Sequence, residues 1–384
     1  MHESIRLVTL GLAALCGCVA AQGTVESELA DLRGRVDALE KKGGGWAANV
    51  KVKGDLRYRH EIIDREHRAE RERNRIRARL GVEGQPIDTV KVVLQLASGN
   101  DDPVSTNQTL DGGFSTKDIM LDLAYFTWTP EPVEGLAVSG GKVKNPFFKP
   151  GDTELIWDGD LNPEGGAVTY ATPGDVSAFC NLGGFWVEER SGDADTGLFG
   201  AQTGVNVDLM DGALTLTTGL GYFDYANTRE WPPIFDPTNS FGNSLENEGD
   251  YSEDYDEFEY FAQLGTKVAG VPVAVFGDRV NNIAAEESHQ GYLYGLFVGK
   301  CKNPGSIAFR YNYRKIERDA VLGVFTDSDS GGGGTNHRGH EIGIDVQLAM
   351  NVTAGATYFK DRLDLKDDDQ DNYRRFQLDV QFKF

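Results

Sequence analysis

Basic residues recur at every second position in two stretches near the start of the chain. In a β-strand this spacing places them all on one face, because successive side chains point to opposite sides. The eight cations, which we call the basic row, are Lys51, Lys53, Arg57, Arg59, Arg73, Arg75, Arg77 and Arg79. Such a row attracts and orients polar and charged solutes in water.

A second set of charges, of opposite sign, lies between residues 145 and 164. Its carboxylates are Asp152, Glu154, Asp158, Asp160 and Glu164. The same stretch carries large apolar side chains at Phe147, Phe148 and Trp157, which a freely solvated loop would not need. A narrow aqueous passage between this acidic segment and the basic row would have a transverse electric field. That field favours small polar solutes over apolar ones.

Alternation of apolar and polar residues continues from residue 46 to residue 384 and predicts sixteen β-strands. The segments are 46–61, 71–84, 88–98, 117–128, 134–144, 164–172, 175–190, 196–209, 212–225, 255–268, 271–281, 289–301, 305–318, 338–348, 351–362 and 373–384. Short turns alternate with long polar connections, which are 99–116, 145–163, 226–254, 319–336 and 363–372. This layout is typical of an outer-membrane barrel with both termini on the periplasmic side.

The environment of a membrane then assigns the two faces of these strands. Lipid offers no hydrogen-bond partner to the backbone, so strands cross a membrane only as a closed barrel. A charge on the lipid face near the midplane costs roughly 2 to 4 kcal/mol, so the basic row must face the interior. The last strand is apolar at every even position from Phe376 to Phe384. Pairing it with the first strand leaves no exposed edge.

The predicted fold is therefore all-β, a 16-stranded antiparallel transmembrane β-barrel preceded by a short coiled-coil helix. A barrel of this size is wide enough for an aqueous channel. We expect the acidic segment to fold inward and to pack on the inner wall, with its carboxylates facing Arg73 to Arg79. The alternative is a loop that caps the barrel from outside.

The N-terminal residues predict two further parts. The apolar run from Leu7 to Ala21 ends in small residues, so residues 1–21 are predicted to be a cleaved signal peptide. A lipoprotein signal ending at Cys18 is an alternative. In residues 22–44, apolar residues at heptad spacing predict a periplasmic coiled coil that joins subunits or reaches a partner, with a lone amphipathic helix as the alternative. The barrel then occupies residues 45–384.

Composition excludes some functions and leaves two alternatives open. A net charge of -22 argues against binding of nucleic acid, which needs a basic surface. Cys180 and Cys301 alone do not make a disulfide framework, and no cofactor or metal is expected. An outer-membrane enzyme is one alternative, although the chain has no Gly-x-Ser-x-Gly nucleophile motif; a metal site at His337 and His340 belongs to the same alternative. A soluble secreted β-sheet binding protein is the second alternative, and it would be extracted without detergent.

The sequence also resembles the putative porin family of Gram-negative bacteria over nearly its whole length. The resemblance rests on the segments Lys53 to Arg59, Arg73 to Gly81, Lys144 to Phe147 and Trp157 to Gly165, and on the C-terminal Phe384. A more distant similarity extends to phosphate-selective and general diffusion porins.

This resemblance implies an outer-membrane porin in contact with lipid and lipopolysaccharide, which passes small hydrophilic solutes by passive diffusion and has no enzymatic activity. It further implies a homotrimer and an inward-folded third loop. It assigns Phe384 as the signal read by the outer-membrane assembly machinery. It does not identify a solute.

Overall fold

The structure, a computed structural model, describes residues 49–246, 249–365 and 370–384. Its strands are β1 (Val50–Arg65), β2 (Arg71–Ile87), β3 (Val90–Ser98), β4 (Gln108–Thr109), β5 (Ile119–Trp128), β6 (Leu136–Lys142), β7 (Glu164–Ala171), β8 (Val176–Glu188), β9 (Thr196–Leu209), β10 (Leu214–Ala226), β11 (Tyr255–Val268), β12 (Val271–Asn282), β13 (Gln290–Gly299), β14 (Ile307–Ile316), β15 (His337–Ala349), β16 (Val352–Leu363) and β17 (Asn372–Lys383). The predicted signal peptide (1–21) and coiled coil (22–44) lie outside the described residues. No helix in the described part is long and apolar enough to cross a membrane.

Sixteen long strands close into a single antiparallel barrel, as predicted. The closing pair joins β1 to β17, with partners that run from Asp55 opposite Lys383 to Arg65 opposite Tyr373. On its other side β1 pairs with β2. The two-residue β4 lies beside β2 within the connection from β3 to β5. Closure satisfies the backbone hydrogen bonds of the edge strands that an open sheet would leave exposed.

Each predicted segment overlaps one of the long strands. The largest displacement is in the first, which was predicted to end at residue 61 but continues to Arg65. The reason is that the outer end of β1 remains paired with β17, where Asp64 and Arg65 lie opposite Arg374 and Tyr373.

Connections are short at one end of the barrel and long at the other. Residues 88–89, 269–270 and 350–351 are tight turns at the short end. In the turn 269–270 both Ala269 and Gly270 have positive φ, at 50° and 82°. That geometry matches the right-handed twist of a two-residue hairpin. Long loops such as 143–163 therefore all leave from the opposite end.

The two faces of the wall differ as the membrane requires. Large apolar side chains are exposed on the outer face, including Leu80, Val82, Leu94 and Leu96. Alternate positions point inward and carry polar or charged groups, many of them buried. Cys180 and Cys301 are both free thiols.

Part of the barrel interior is filled by an apolar core. Wall residues of this core come from β7 to β14, and the rest come from three loops. We name residues 143–163 the first inner loop and residues 317–336 the second inner loop; the third contribution comes from 227–254. The treatment of 226–254 and 319–336 as simple polar loops was wrong, because Ile234, Tyr251 and the run 320–324 are buried among wall side chains.

Candidate functional site

Carboxylates of the wall itself neutralise much of the basic row. Asp55 on β1 binds Arg77 at 3.0 Å and Arg79 at 2.8 Å. Asp379 on β17 binds Arg59 at 2.8 Å. Sequence reasoning missed these partners. The signal was present for Asp55, because it occupies the same odd-numbered face of β1 as the cations.

Glu61 is the most enclosed of these wall carboxylates, with 0% of its surface exposed. It forms ion pairs with Arg73, with Arg75 at 3.9 Å and with Arg375 on β17 at 2.6 Å. A buried carboxylate is stable only with such partners, because burial without them carries a large desolvation cost. Three guanidinium groups from the two strands that flank β1 therefore share one counterion.

Aromatic side chains hold the first inner loop against the wall. The Phe147 ring lies 4.8 Å from that of Phe223, and the Trp157 ring lies 5.2 Å from the same ring. Phe148 packs at 5.2 Å from Phe261. Trp157 is only 2% exposed. The three residues predicted as loop anchors thus all contact the inward face of the barrel.

The first inner loop crosses the interior from one side to the other. Its backbone forms hydrogen bonds with Gln202 on β9, Gln263 on β11 and Arg314 on β14. Its Asp160 then reaches Arg79 on β2 at 3.5 Å. The loop therefore spans the lumen between the apolar core and the basic row, and does not cap the barrel from outside.

The five predicted carboxylates of this loop segment have different surroundings. Asp160 is the only one of them that forms an ion pair with the basic row within the described part of the chain. Glu164 pairs instead with Lys142 at 2.8 Å. Asp152 is exposed to the interior space, and its side chain has no partner among the residues that the structure describes. The remaining two belong to a cluster with the second inner loop.

That cluster consists of Glu154, Asp158 and Asp327, whose carboxylate oxygens lie within 4.8 Å of one another. Burial raises the pKa of Glu154 and of Asp158 well above their ordinary values, and the neighbouring carboxylates raise both further. Oxygen ligands of this kind suit a divalent cation. However, Arg314 already binds Asp327 at 2.5 Å, and the Ser328 N–H donates to Asp158 at 2.9 Å. The cluster is therefore partly compensated by the protein's own groups.

The second inner loop is joined both to the wall and to the first inner loop. Asp329 binds Arg59 at 2.9 Å and Arg375 at 2.8 Å. The Asp158 N–H of the first inner loop donates to the Phe325 carbonyl oxygen at 2.9 Å. The two loops thus form one connected structure inside the barrel.

The remaining predicted residues lie near the short-turn end of β1. Lys51 and Lys53 are exposed at the start of that strand. Arg57 points inward, where its Nη2 donates to the side-chain oxygen of Asn107 at 2.6 Å. Phe384 exchanges two backbone hydrogen bonds with Gly54, at 2.9 and 3.0 Å. The C-terminal residue is therefore part of the strand pairing that closes the barrel.

The two histidines considered as a metal site do not meet. His337 is buried on the inward face of β15, where its Nε2 lies 3.1 Å from Ser330 Oγ. His340 is three residues further on and therefore faces outward, with its Nδ1 3.0 Å from the Tyr311 hydroxyl. They cannot share one ion.

Open space remains beside the first inner loop. A cavity of about 620 Å³ lies between this loop and the β1–β2 wall, where its lining includes Asp55, Arg79 and Asp160. A second cavity of about 240 Å³ lies toward β14 and β17. Asp152 lines both. Open space thus adjoins the loop on both sides.

A closed barrel with an apolar outer face, a charged interior and inward-folded loops is the architecture of an outer-membrane channel protein. Residues 64–258 and 254–384 match the family model described as "Putative porin". The chain belongs to this porin family and is a multi-pass β-barrel of the outer membrane.

Solved structures of porin-like barrels share the fold at low sequence identity. Pseudomonas putida OprB, in a high-pH structure, is 12% identical with a TM-score of 0.58, over 89% of this chain and 97% of that one. A mutant of the Rh. blastica porin is 14% identical with a TM-score of 0.51, over 87% and 100%. OmpT of Vibrio cholerae, an outer membrane protein in a trimer form, is 12% identical with a TM-score of 0.50, over 87% and 99%. No curated protein matches the sequence.

Proposed function

We propose that this porin forms a water-filled channel for passive diffusion of small hydrophilic solutes or ions, and that it has no catalytic activity. The constriction of the channel lies between the basic row and the acidic first inner loop. Permeating solutes pass through the space that adjoins Asp160 and Arg79.

One observation carries the proposal. Asp160 Oδ1 of the first inner loop lies 3.8 Å from Arg77 Nη1 and 3.5 Å from Arg79 Nη1. A loop that approaches the opposite wall this closely divides the lumen and leaves only narrow spaces beside it. The cavity of about 620 Å³ at this point is lined by charged residues of both signs. Such a lining excludes apolar solutes and admits small polar ones.

The direct test is a planar lipid bilayer recording of the purified, folded protein in a salt gradient. Discrete conductance steps are expected, and the reversal potential gives the preference between cations and anions. Absence of steps from protein that remains folded in detergent would contradict the channel.

A second test addresses the role of the basic row. Reversal of Arg73, Arg75, Arg77 and Arg79 to Glu is expected to shift the reversal potential toward cation preference. The single change Arg79→Gln, at the most accessible of the four, is expected to shift it in the same direction by a smaller amount, because it frees Asp160. An unchanged reversal potential in both variants would show that the basic row does not line the conduction path.

We further propose that the protein is a homotrimer embedded in lipid and lipopolysaccharide, with a cleaved signal peptide and an N-terminal coiled coil. The trimer form of the structurally similar OmpT supports the oligomer. Chemical cross-linking in detergent tests it, and a monomer mass alone would contradict it. The role of Phe384 in recognition by the assembly machinery is tested by its deletion, which should lower the amount of barrel in outer-membrane fractions.

A further inference from the structure

Arg57 is an exception among the inward-facing arginines of β1 and β2. No carboxylate oxygen of the described residues lies within 4.0 Å of its guanidinium. Its Nη2 donates to the neutral side chain of Asn107 at 2.6 Å, and its Nε is buried without a partner. Arg59, two residues further on, instead binds two carboxylates. Arg57 therefore retains an uncompensated charge and an unused donor.

Arg57 lines the cavity of about 240 Å³. The cavity is also lined by Asn312, which is 2% exposed and whose Oδ1 has no hydrogen-bond partner. The Asn312 amide nitrogen donates to Glu341 at 2.7 Å, which fixes the oxygen as the free end. A buried acceptor and a buried donor, both unsatisfied, thus adjoin the same space. Buried polar groups of this kind are normally paired with a ligand or water.

Asp152 adds the opposite charge. It lines the same cavity, its carboxylate is exposed to the lumen, and its side chain has no partner among the described residues. The other charges that line the cavity are largely paired with each other, for example Arg59 with Asp329 and Arg314 with Glu341. The groups that remain without a partner among the described residues include the Arg57 guanidinium, the Asp152 carboxylate, Asn312 Oδ1 and Gln377 Nε2.

A simple anion at this cavity would meet the carboxylate of Asp152, and a simple cation would meet the guanidinium of Arg57. A solute with a carboxylate at one end and an ammonium at the other satisfies both, because unlike charges attract and each desolvated group gains a charge-assisted hydrogen bond. A volume of about 240 Å³ is large enough for a small amino acid.

We propose that this cavity is a solute-binding subsite for small zwitterions of the amino-acid type, with Arg57 as the carboxylate contact and Asp152 as the ammonium contact. The inference rests on the proposed channel function and adds the class of solute. Since Asp152 also lines the larger cavity, a bound solute lies on the path between the two spaces.

The test compares glycine with glycolamide, an isomer of the same formula that carries no charge. Proteoliposomes that contain the full protein are diluted into each solute, and the ratio of the two swelling rates is measured. Wild-type protein is expected to pass glycine faster than glycolamide. Arg57→Gln and Asp152→Asn are each expected to lower that ratio by about tenfold, which corresponds to the low end of the range for one lost charge-assisted contact. Arg68→Gln, at an exposed position in the turn 66–70, is the matched control and should leave the ratio unchanged.

The outcomes separate the subsite from the channel. The subsite would be overturned, and the channel left intact, by the following result. The protein conducts potassium chloride, but the ratio of the glycine to the glycolamide swelling rate is equal in wild type, Arg57→Gln and Asp152→Asn. Failure of wild-type protein to conduct potassium chloride would overturn both. If Arg57→Gln does not assemble, Asp152→Asn decides the question, because this exposed carboxylate forms no contact on which folding depends.

Discussion

Asp329 is the contact through which the second inner loop is fixed to the basic row. Its carboxylate accepts hydrogen bonds from Arg59 at 2.9 Å and lies 2.8 Å from Arg375. The substitution Asp329→Asn keeps the shape of the side chain but removes its charge. We expect the second inner loop to separate from the wall much more often in this variant.

The size of the expected loss of stability depends on the ion pairs that Arg59 and Arg375 keep after the substitution. Burial by itself would raise the pKa of Asp329, but Arg375 and Arg59 outweigh burial and hold that pKa well below its usual range. Each charge-assisted contact is worth about 1.5 to 3 kcal/mol. Arg59 keeps Asp379 and Arg375 keeps Glu61 after the change, so neither guanidinium is left unpaired. We therefore expect the low end, a loss of about 2 kcal/mol, which raises the open fraction of the loop about thirtyfold.

Amide hydrogen exchange measures this opening directly. Peptides that cover residues 317–336 should exchange about thirtyfold faster in Asp329→Asn than in wild type, and single-channel current should become noisier. The matched control is Asp64→Asn, because Asp64 pairs with Arg374 at 3.4 Å while both side chains are about half exposed. Such surface pairs contribute less than about 1 kcal/mol. Equal exchange of the loop in wild type and Asp329→Asn would refute the idea that this ion pair holds it.

Three further predictions concern the first inner loop and the closing strand pair. Trp157→Ala removes a fully packed side chain and should lower the free energy of unfolding by about 3 to 5 kcal/mol, measured by denaturant titration in detergent; Trp186→Ala, where the ring is 73% exposed, should cost much less. Because burial raises the pKa of Glu154, the folded protein holds a proton that the unfolded chain releases near its ordinary pKa of 4.5. The free energy of unfolding should therefore be highest below pH 4.5 and should fall as the pH rises toward the raised pKa of Glu154. Glu154→Gln should flatten this part of the pH profile. A steeper fall in the variant would contradict the predicted direction of the pH dependence. Gly54→Ala should lower the yield of folded barrel, because a Cβ there would lie 2.4 Å from the Phe384 ring and 2.7 Å from a backbone oxygen of β2; normal heat-modifiable mobility on a gel would contradict this expectation.

The barrel itself was predictable because its cause is local. Apolar and polar residues alternate along each strand, because one face of every strand contacts lipid and the other faces the barrel interior. β9 and β11 were predicted with the bounds that the structure shows. The error in β1 arose at its C-terminal end, where residues up to Arg65 pair with β17, because such a pairing cannot be read from a single segment.

The interior was less predictable because its contacts join distant parts of the chain. The inward position of the first inner loop followed from its aromatic residues. The run 320–325 gives the same signal for the second inner loop, and it was overlooked beside a glycine-rich stretch. The partners Glu61, Asp379 and Arg375 depend on the register between β1 and β17, which sequence periodicity does not determine.

The pairing of charges changes what the basic row can contribute to transport. A guanidinium that shares a carboxylate at about 3 Å projects little net field into the lumen, since the two charges nearly cancel beyond a few ångströms. Arg59 and Arg77 are both in this state, and their partners on the inner loops make them structural supports. Selectivity should then depend more on charges that form no ion pair among the described residues, such as Arg57 and Asp152, than on the paired arginines. Neutralisation of a buried paired arginine such as Arg59 should consequently alter loop mobility more than ion preference, unlike neutralisation of the more accessible Arg79. Neutralisation of Arg57 should alter solute preference with the loops in place.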